Sequence, residues 1–194
     1  MQRLIEDLIS LSRIEGEKYR LPAERIAMGE MLEDVYAELA AGGGERVADV
    51  TIGVEDDLPE VVGDAAQLSQ LVHNLIGNAM KYGRPGTPVT ATVTRDATGM
   101  VRLTVADEGE GIAAQHIPRL TERFYRVDAG RSRSVGGTGL GLAIVKHIVE
   151  RHRGRLDITS KVGVGTTVSA AFPAAEPVSS KGNVTVTQER AERS

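Results

Sequence analysis

The sequence has 194 residues and no cysteine, which excludes disulfides, thiolate catalysis and Cys-based zinc sites together. Its 41% apolar content supplies one core, and with two Phe, four Tyr and no Trp that core is built mostly of Val, Leu, Ile and Ala. The net charge of −4 argues against a general nucleic-acid binder, and no apolar run nears the roughly 20 residues that span a bilayer.

The first residues carry acids inside their apolar pattern, so they do not read as a signal peptide, and a soluble, reducing compartment is expected. Met1, Leu4, Leu8 and Leu11 are spaced alternately by three and four, a heptad-like seam that Ile5, Ile9 and Ile14 widen. A helix this short needs something to pack on. Residues 1–20 therefore read as the end of a longer helical hairpin that continues before Met1. Leu21-Pro22 breaks it. A second amphipathic helix is expected over 29–41, closed by Gly42-Gly43-Gly44, and an alternating strand over 47–54. Asp64 with Gln67 forms a capping box before Leu68, Leu71, Val72, Leu75, Ile76 and Ala79, so a helix should run to about Tyr82. Strands follow near 88–95 and 101–106 around a turn at Asp96–Gly99. A long polar stretch over 107–136 holds a short helix near 113–120. A helix over 139–153 and a hairpin (155–160, 166–172) close the domain. From Ala174 the chain is rich in Ser, Thr, Glu and Arg and reads as a disordered tail. This order predicts an α+β protein, a two-layer sandwich with helices on one face of a mixed sheet.

No P-loop, dinucleotide fingerprint or His-Glu-x-x-His is present, and the four histidines are scattered, as surface or core residues would be. The densest chemical signal is Gly136-Gly137-Thr138-Gly139-Leu140-Gly141-Leu142, which runs straight into an apolar helix. Glycines let backbone N–H groups approach an anion, and a helix N-terminus adds positive potential there. Just before it, residues 119–133 set five arginines against two acids, a composition that suits a lid over polyphosphate. Asn74 and Asn78 lie four apart on one helix face, and Lys81 shares it. Amide oxygens are hard, neutral ligands that suit Mg²⁺ when phosphates supply the charge. Asp107-Glu108-Gly109-Glu110-Gly111 follows an apolar strand. There a carboxylate can accept from an exocyclic amine while a flat base lies against glycine backbone. On its own this run equally fits an ordinary turn.

Together these motifs resemble the catalytic domain of bacterial sensor histidine kinases, within the Bergerat-fold ATPase superfamily, over roughly residues 28–173. His73–Tyr82 is similar to the family's Asn box, Asp107–Gly111 to its first glycine box, Arg123–Arg126 to the Phe box of its ATP lid, Gly137–Leu142 to its second glycine box, and Gly163–Thr166 to its last shared turn. Ile117–Asp128 looks closest to phosphate-regulon sensor kinases. The resemblance implies the Bergerat fold with a mobile ATP lid, an ATP-binding domain over 21–173 and a tail over 174–194. It implies ATP and Mg²⁺ as cofactors. Asp107 would read the adenine amino group, helped by Thr166 through water, with Gly109, Gly111 and Ile112 lining the base and Tyr82 packing on it. Asn74 and Asn78 would hold Mg²⁺. Lys81 and Arg126 would contact the phosphates, helped by Arg131 or Arg133, and Tyr125 would count among the nucleotide-binding residues of the lid. Gly137, Thr138, Gly139, Leu140, Gly141 and Leu142 would cradle the phosphates through backbone amides. Catalytic roles would fall to Asn78, Lys81 and Arg126.

The implied partners are a phosphoacceptor hairpin, a response regulator and, in the full-length protein, a second copy. No nucleic acid and no membrane segment in this chain are expected. The setting would be cytoplasmic, and an inner-membrane anchor would belong to the full-length protein. Relatives often carry an aromatic where Thr121 stands and Thr or Ser where Gly83 stands. None of the four histidines has the neighbours of a phosphoacceptor. Two other readings stay open at this point. One is a chaperone-, topoisomerase- or mismatch-repair-type ATPase or a serine kinase, which would usually place Glu where Asn74 stands. The other is a degenerate nucleotide-sensing or dimerisation module.

Overall fold

The computed structural model describes residues 2–16, 23–127 and 137–176. In chain order it has α1 (Gln2–Gly16), β1 (Glu24–Ile26), α2 (Met28–Ala41), a 3-10 turn (Glu45–Asp49), β2 (Val50–Val54), β3 (Val61–Gly63), α3 (Ala65–Tyr82), β4 (Val89–Arg95) and β5 (Val101–Asp107). A second 3-10 turn (Ala114–Arg119), α4 (Gly141–Arg151), β6 (Arg155–Lys161) and β7 (Gly165–Phe172) follow.

Alternation of side chains decides the sheet. Val89, Ala91 and Val93 of β4 and Val101, Leu103 and Val105 of β5 point to one side and are almost wholly buried, while Thr90, Thr92, Thr94, Arg102 and Thr104 take the other side. The strand order is β2-β4-β5-β7-β6, with β2 parallel to β4 and the remaining pairs antiparallel. Leu32 and Val35 of α2, Leu68 to Ile76 of α3 and Ile144 to Val149 of α4 bury their apolar stripes on that one face. The result is the expected two-layer α+β sandwich. Each fully buried Leu or Ile in it contributes roughly 1.5–3 kcal/mol.

The ends of α3 matter most for the site, because that helix carries the Asn box. Asp64 caps it, its Oδ1 accepting from the Gln67 backbone N–H at 3.0 Å. The reciprocal half of the expected capping box is replaced. The Asp64 N–H donates instead to His152 Nε2 at 2.9 Å, and His152 Nδ1–H donates to the Ile148 carbonyl at 2.7 Å. That pairing needs the neutral imidazole, whose edge meets the Phe172 ring at 82°. Burial first of all pushes the His152 pKa below its ordinary value.

Several local expectations are corrected. The residues expected to begin the strand at 47 form the 3-10 turn, and pairing starts at Val50. The short helix expected near 113–120 is found over Ala114–Arg119; it winds as a 3-10 helix with Pro118 inside it, where a missing N–H removes a rung of an α-helical ladder. The small antiparallel pair β1–β3 is an addition to the expected elements. Ala174 bridges to Val61 and Ala175 N–H donates to the Glu60 carbonyl at 2.7 Å, so 174–176 lie along this pair. The rest of the expected tail lies outside the described residues. In α1, Leu11 and Ile14 are buried against α4 and the neighbouring core, whereas Ile5, Leu8 and Ile9 are exposed. Ser10 Oγ also donates to Gln70 Oε1 of α3 at 2.7 Å.

Candidate nucleotide site

At the C-terminal end of β5 the sheet register sets Asp107 opposite Thr166 of β7. The half-buried Asp107 carboxylate accepts from the Gly109 N–H at 2.7 Å and from the Thr166 N–H. Burial pushes its pKa up. The two backbone N–H groups and then the charge of Arg46 pull it back. Thr166 Oγ1 meets Ser160 Oγ at 2.9 Å, and Ser160 Oγ also accepts from the Ile112 N–H at 2.8 Å. Asp107, Gly109, Ile112 and Thr166 are therefore joined in one hydrogen-bonded cluster.

The backbone here runs close. Gly83 bridges to Gly109, and a Cβ at Gly109 would meet the Tyr82 carbonyl and Asp107 Oδ1. Gly111 (φ 69°) lies against the Lys161 carbonyl, where any side chain would collide. The Tyr82 ring is 50% exposed at the end of α3, so one face is open to packing, and Lys81 Nζ lies 4.9 Å from its centroid.

One turn earlier on α3, Asn74 and Asn78 face the start of α4. A Cβ at Gly141 would lie 3.7 Å from Asn74 Oδ1, 3.7 Å from Asn78 Nδ2 and 3.8 Å from Asn78 Oδ1. The Asn box and the second glycine box thus meet at one point. Asn74 Nδ2 is buried and has no hydrogen-bond partner among the described residues. Such a group costs stability unless something else uses the site. Both amide oxygens lie near this point and suit a hard cation that takes its charged ligands from phosphate, while the unsatisfied Asn74 N–H is a donor for a phosphate oxygen or water. No cluster of three or more His, Asp or Glu able to hold a metal occurs among the described residues.

The glycine box is held by internal contacts. Gly137 lies against Lys81 Nζ. Thr138 Oγ1 donates to Asp7 Oδ2 of α1 at 2.6 Å and accepts from the Leu140 N–H at 3.3 Å. Gly139 (φ 72°) packs on the Phe124 backbone, and its carbonyl accepts from the Phe124 N–H at 2.9 Å. Leu140 is wholly buried and Leu142 packs against the core, so their side chains anchor the box and only their backbone can face a ligand.

Two lid residues need separate placement. The Tyr125 hydroxyl pairs with His116 Nδ1 at 2.6 Å, and the Arg119 guanidinium covers its ring at 4.2 Å. Those contacts tie Tyr125 to the second 3-10 turn. Arg126 is half-buried with a buried Nε. Arg131 and Arg133 lie outside the described residues.

Sequence reading missed Arg46, Arg84, Asp7, His116 and Ser160. Arg46, Arg84, Asp7 and Ser160 act through contacts to segments between 37 and 131 positions away, and His116 pairs with Tyr125 across 9, so no motif spacing marks them.

A helix face of amides, a strand-end carboxylate and a glycine-rich helix start, assembled on one edge of this sandwich, define a class. The profile of the histidine kinase-, DNA gyrase B- and HSP90-like ATPase family matches residues 63–176, and the chain belongs to that family. It is similar to the phosphate regulon sensor protein PhoR of Pseudomonas aeruginosa, 38% identical over 180 residues, which cover 91% of this chain and 39% of that protein. It is also similar to the sensor-like histidine kinase SenX3 of Mycolicibacterium smegmatis, 36% identical over 176 residues covering 88% of this chain and 44% of that one. The chain thus spans about two fifths of the length of these curated relatives. Among solved structures, full-length ShkA in complex with AMPPNP matches with a TM-score of 0.72 at 27% identity, over 89% of this chain and 36% of that one. The mycobacterial sensor histidine kinase MprB matches with a TM-score of 0.64 at 28% identity, over 78% and 97%.

Proposed function

We propose that this chain is the Mg-ATP-binding catalytic part of a sensor histidine kinase. It positions ATP so that the γ-phosphate passes to a histidine on a helical hairpin outside this sequence, and from there to an aspartate of a response regulator. The observation that carries the reading is the meeting of the Asn74–Asn78 amides with Gly141, on the same helix whose end abuts Asp107. This sets a base site and a phosphate site along one helix. The AMPPNP bound by the similar ShkA supports ATP as the ligand.

In this reading Asp107 accepts from the adenine amino group, and Thr166 joins through water. The ring lies on Gly109 and Gly111 beside Tyr82. Asn74 and Asn78 hold Mg²⁺, which when bound neutralises phosphate charge. Lys81 and Arg126 contact phosphate oxygens, and the backbone N–H groups at the start of α4 cradle them. No general base is needed from this chain, because the attacking imidazole comes from the hairpin. The full-length protein would act as a dimer on the cytoplasmic side, with any membrane anchor outside the described residues, in which no helix is long and apolar enough to cross a membrane.

The chain alone should bind nucleotide and hydrolyse almost none of it. When joined to the hairpin of its own kinase and given γ-labelled ATP, it should leave acid-labile label on a hairpin histidine. Steady hydrolysis by the chain alone would instead place it with the ATPases of the superfamily.

A further inference from the structure

Arg46 belongs to none of the motifs above, yet it touches the site from behind. It sits in the 3-10 turn between α2 and β2, with its side chain 25% exposed. Its Nη1 donates to the Gly83 carbonyl at 2.6 Å and its Nη2 to the Arg84 carbonyl at 2.8 Å. Its Nε donates to Asp49 Oδ2 at 3.2 Å, and the same oxygen accepts from the Gly86 N–H at 3.3 Å. A planar guanidinium can fork across two successive carbonyls in this way, and a lysine cannot. The two carbonyls follow Tyr82 directly, and that of Arg84 also accepts from the Thr87 N–H at 3.2 Å and Oγ1 at 2.7 Å.

The contacts continue outward. Gly83 bridges to Gly109 on the Asp107 loop. Arg84 Nη2 donates to the Gly163 carbonyl at 2.7 Å, and the Gly163 N–H donates to the Glu110 carbonyl at 2.7 Å. Three loops from distant parts of the chain (83–86, 108–111 and 162–165) are therefore joined around Asp107, and Arg46 fixes the first of them to the body of the domain.

We infer that Arg46 is a positioning residue for the purine ring, holding the loop after Tyr82 against the Asp107–Gly111 loop through two main-chain carbonyls without touching the ligand. The inference rests on the base-site reading of Asp107. It also gives Arg46 an electrostatic part, because it is the charged group that acts on the Asp107 carboxylate from another element. Glu108 and Glu110 flank Asp107 on its own loop, and Lys161 ends β6 beside Gly111. Loss of Arg46 should let Asp107 take up a proton more readily, and a protonated Asp107 is a poorer acceptor for an amine.

The test is calorimetric titration with Mg-ADP from about pH 8 down to about pH 5, using wild type, Arg46→Gln, Arg46→Lys and Asp107→Asn, each shown to be folded by circular dichroism. Arg46→Gln should bind about tenfold more weakly near neutral pH, with a loss that deepens as pH falls. Arg46→Lys keeps the charge, so it should regain the wild-type pH profile but not the full affinity. If Arg46→Gln cannot be obtained folded, the same comparison rests on Arg46→Lys, where unchanged affinity overturns the inference. If Asp107→Asn is impaired while both Arg46 variants match wild type, the inference fails alone. It also fails if Arg46→Gln loses affinity with an unchanged pH profile that lysine does not restore, since that marks a general staple. If Asp107→Asn binds as well as wild type, the base-site reading fails and takes the inference with it.

Discussion

The two ends of the site are built differently. At the base end the polar groups are satisfied by backbone. Asp107 accepts from the Gly109 and Thr166 N–H groups, Gly83 pairs with Gly109, and Arg46 and Arg84 tie carbonyls together. At the proposed phosphate end internal contacts and one unsatisfied amide stand side by side. Lys81 lies against Gly137, the Thr138 hydroxyl spans Asp7 and the Leu140 N–H, and the Asn74 amide nitrogen is buried without a partner among the described residues. A base is flat, neutral and the same in every nucleotide state, so its pocket can be rigid. Phosphates bring charge and change in number during the reaction, so their site must exchange internal contacts for ligand contacts.

The largest effect that could break this contrast is expected at Asp107. Asp107→Asn turns part of the acceptor into a donor, and Mg-ADP affinity should fall about 10- to 100-fold, the worth of a hydrogen bond to a charged group. Discrimination between ADP and GDP in the same titration should shrink with it. At the phosphate end, Asn78→Ala should lower affinity about tenfold in the presence of Mg²⁺ and hardly at all in EDTA. Equal losses in both conditions would mean the amide supports the fold and not the metal.

Gly139→Ala sharpens the contrast through stability. The new Cβ would lie 2.9 Å from the Phe124 Cα, at a φ of 72° that only glycine adopts easily. A cost of about 1–3 kcal/mol is expected, read as a lower melting temperature, together with weaker nucleotide binding.

His152 gives a pH dependence behind both ends. Its folded pKa lies below the ordinary 6.5, so the unfolded chain takes up the proton first. Stability from this group is complete above about pH 6.5 and declines as pH falls below it toward the lower folded value. Protonation also removes the acceptor for the Asp64 N–H at the start of α3. Thermal melts should therefore lose their acid sensitivity in this range in His152→Gln.

The smallest effect is expected at Asp7. Asp7→Asn removes a negative charge beside the glycine box but keeps an acceptor for Thr138, and should raise Mg-ATP affinity by about two- to threefold.

How much of the molecule is legible in the sequence follows from how each feature is encoded. The buried faces of α3, α4, β4 and β5 are visible there because burial imposes a period on consecutive residues. The motifs are visible because Asn74, Asn78 and Lys81 share one helix and the glycines of the second box are contiguous. β1 and β3 escape because three residues carry too little alternation to register. Tyr125 joins the nucleotide-binding residues only through the likeness of its segment to the Phe box, while its partners His116 and Arg119 lie on a segment whose shape the sequence does not disclose. Arg46 is invisible because its contacts are main-chain carbonyls 37 and 38 positions away.

The central claim is that α3, the Asp107 loop and the start of α4 form one nucleotide site. Titration calorimetry of the folded chain with Mg-ADP tests it most directly. Saturable binding of one nucleotide per chain, weakened in Asp107→Asn and made independent of Mg²⁺ in Asn78→Ala, is the predicted result. No heat at millimolar Mg-ADP from a chain that circular dichroism shows to be folded would contradict the claim.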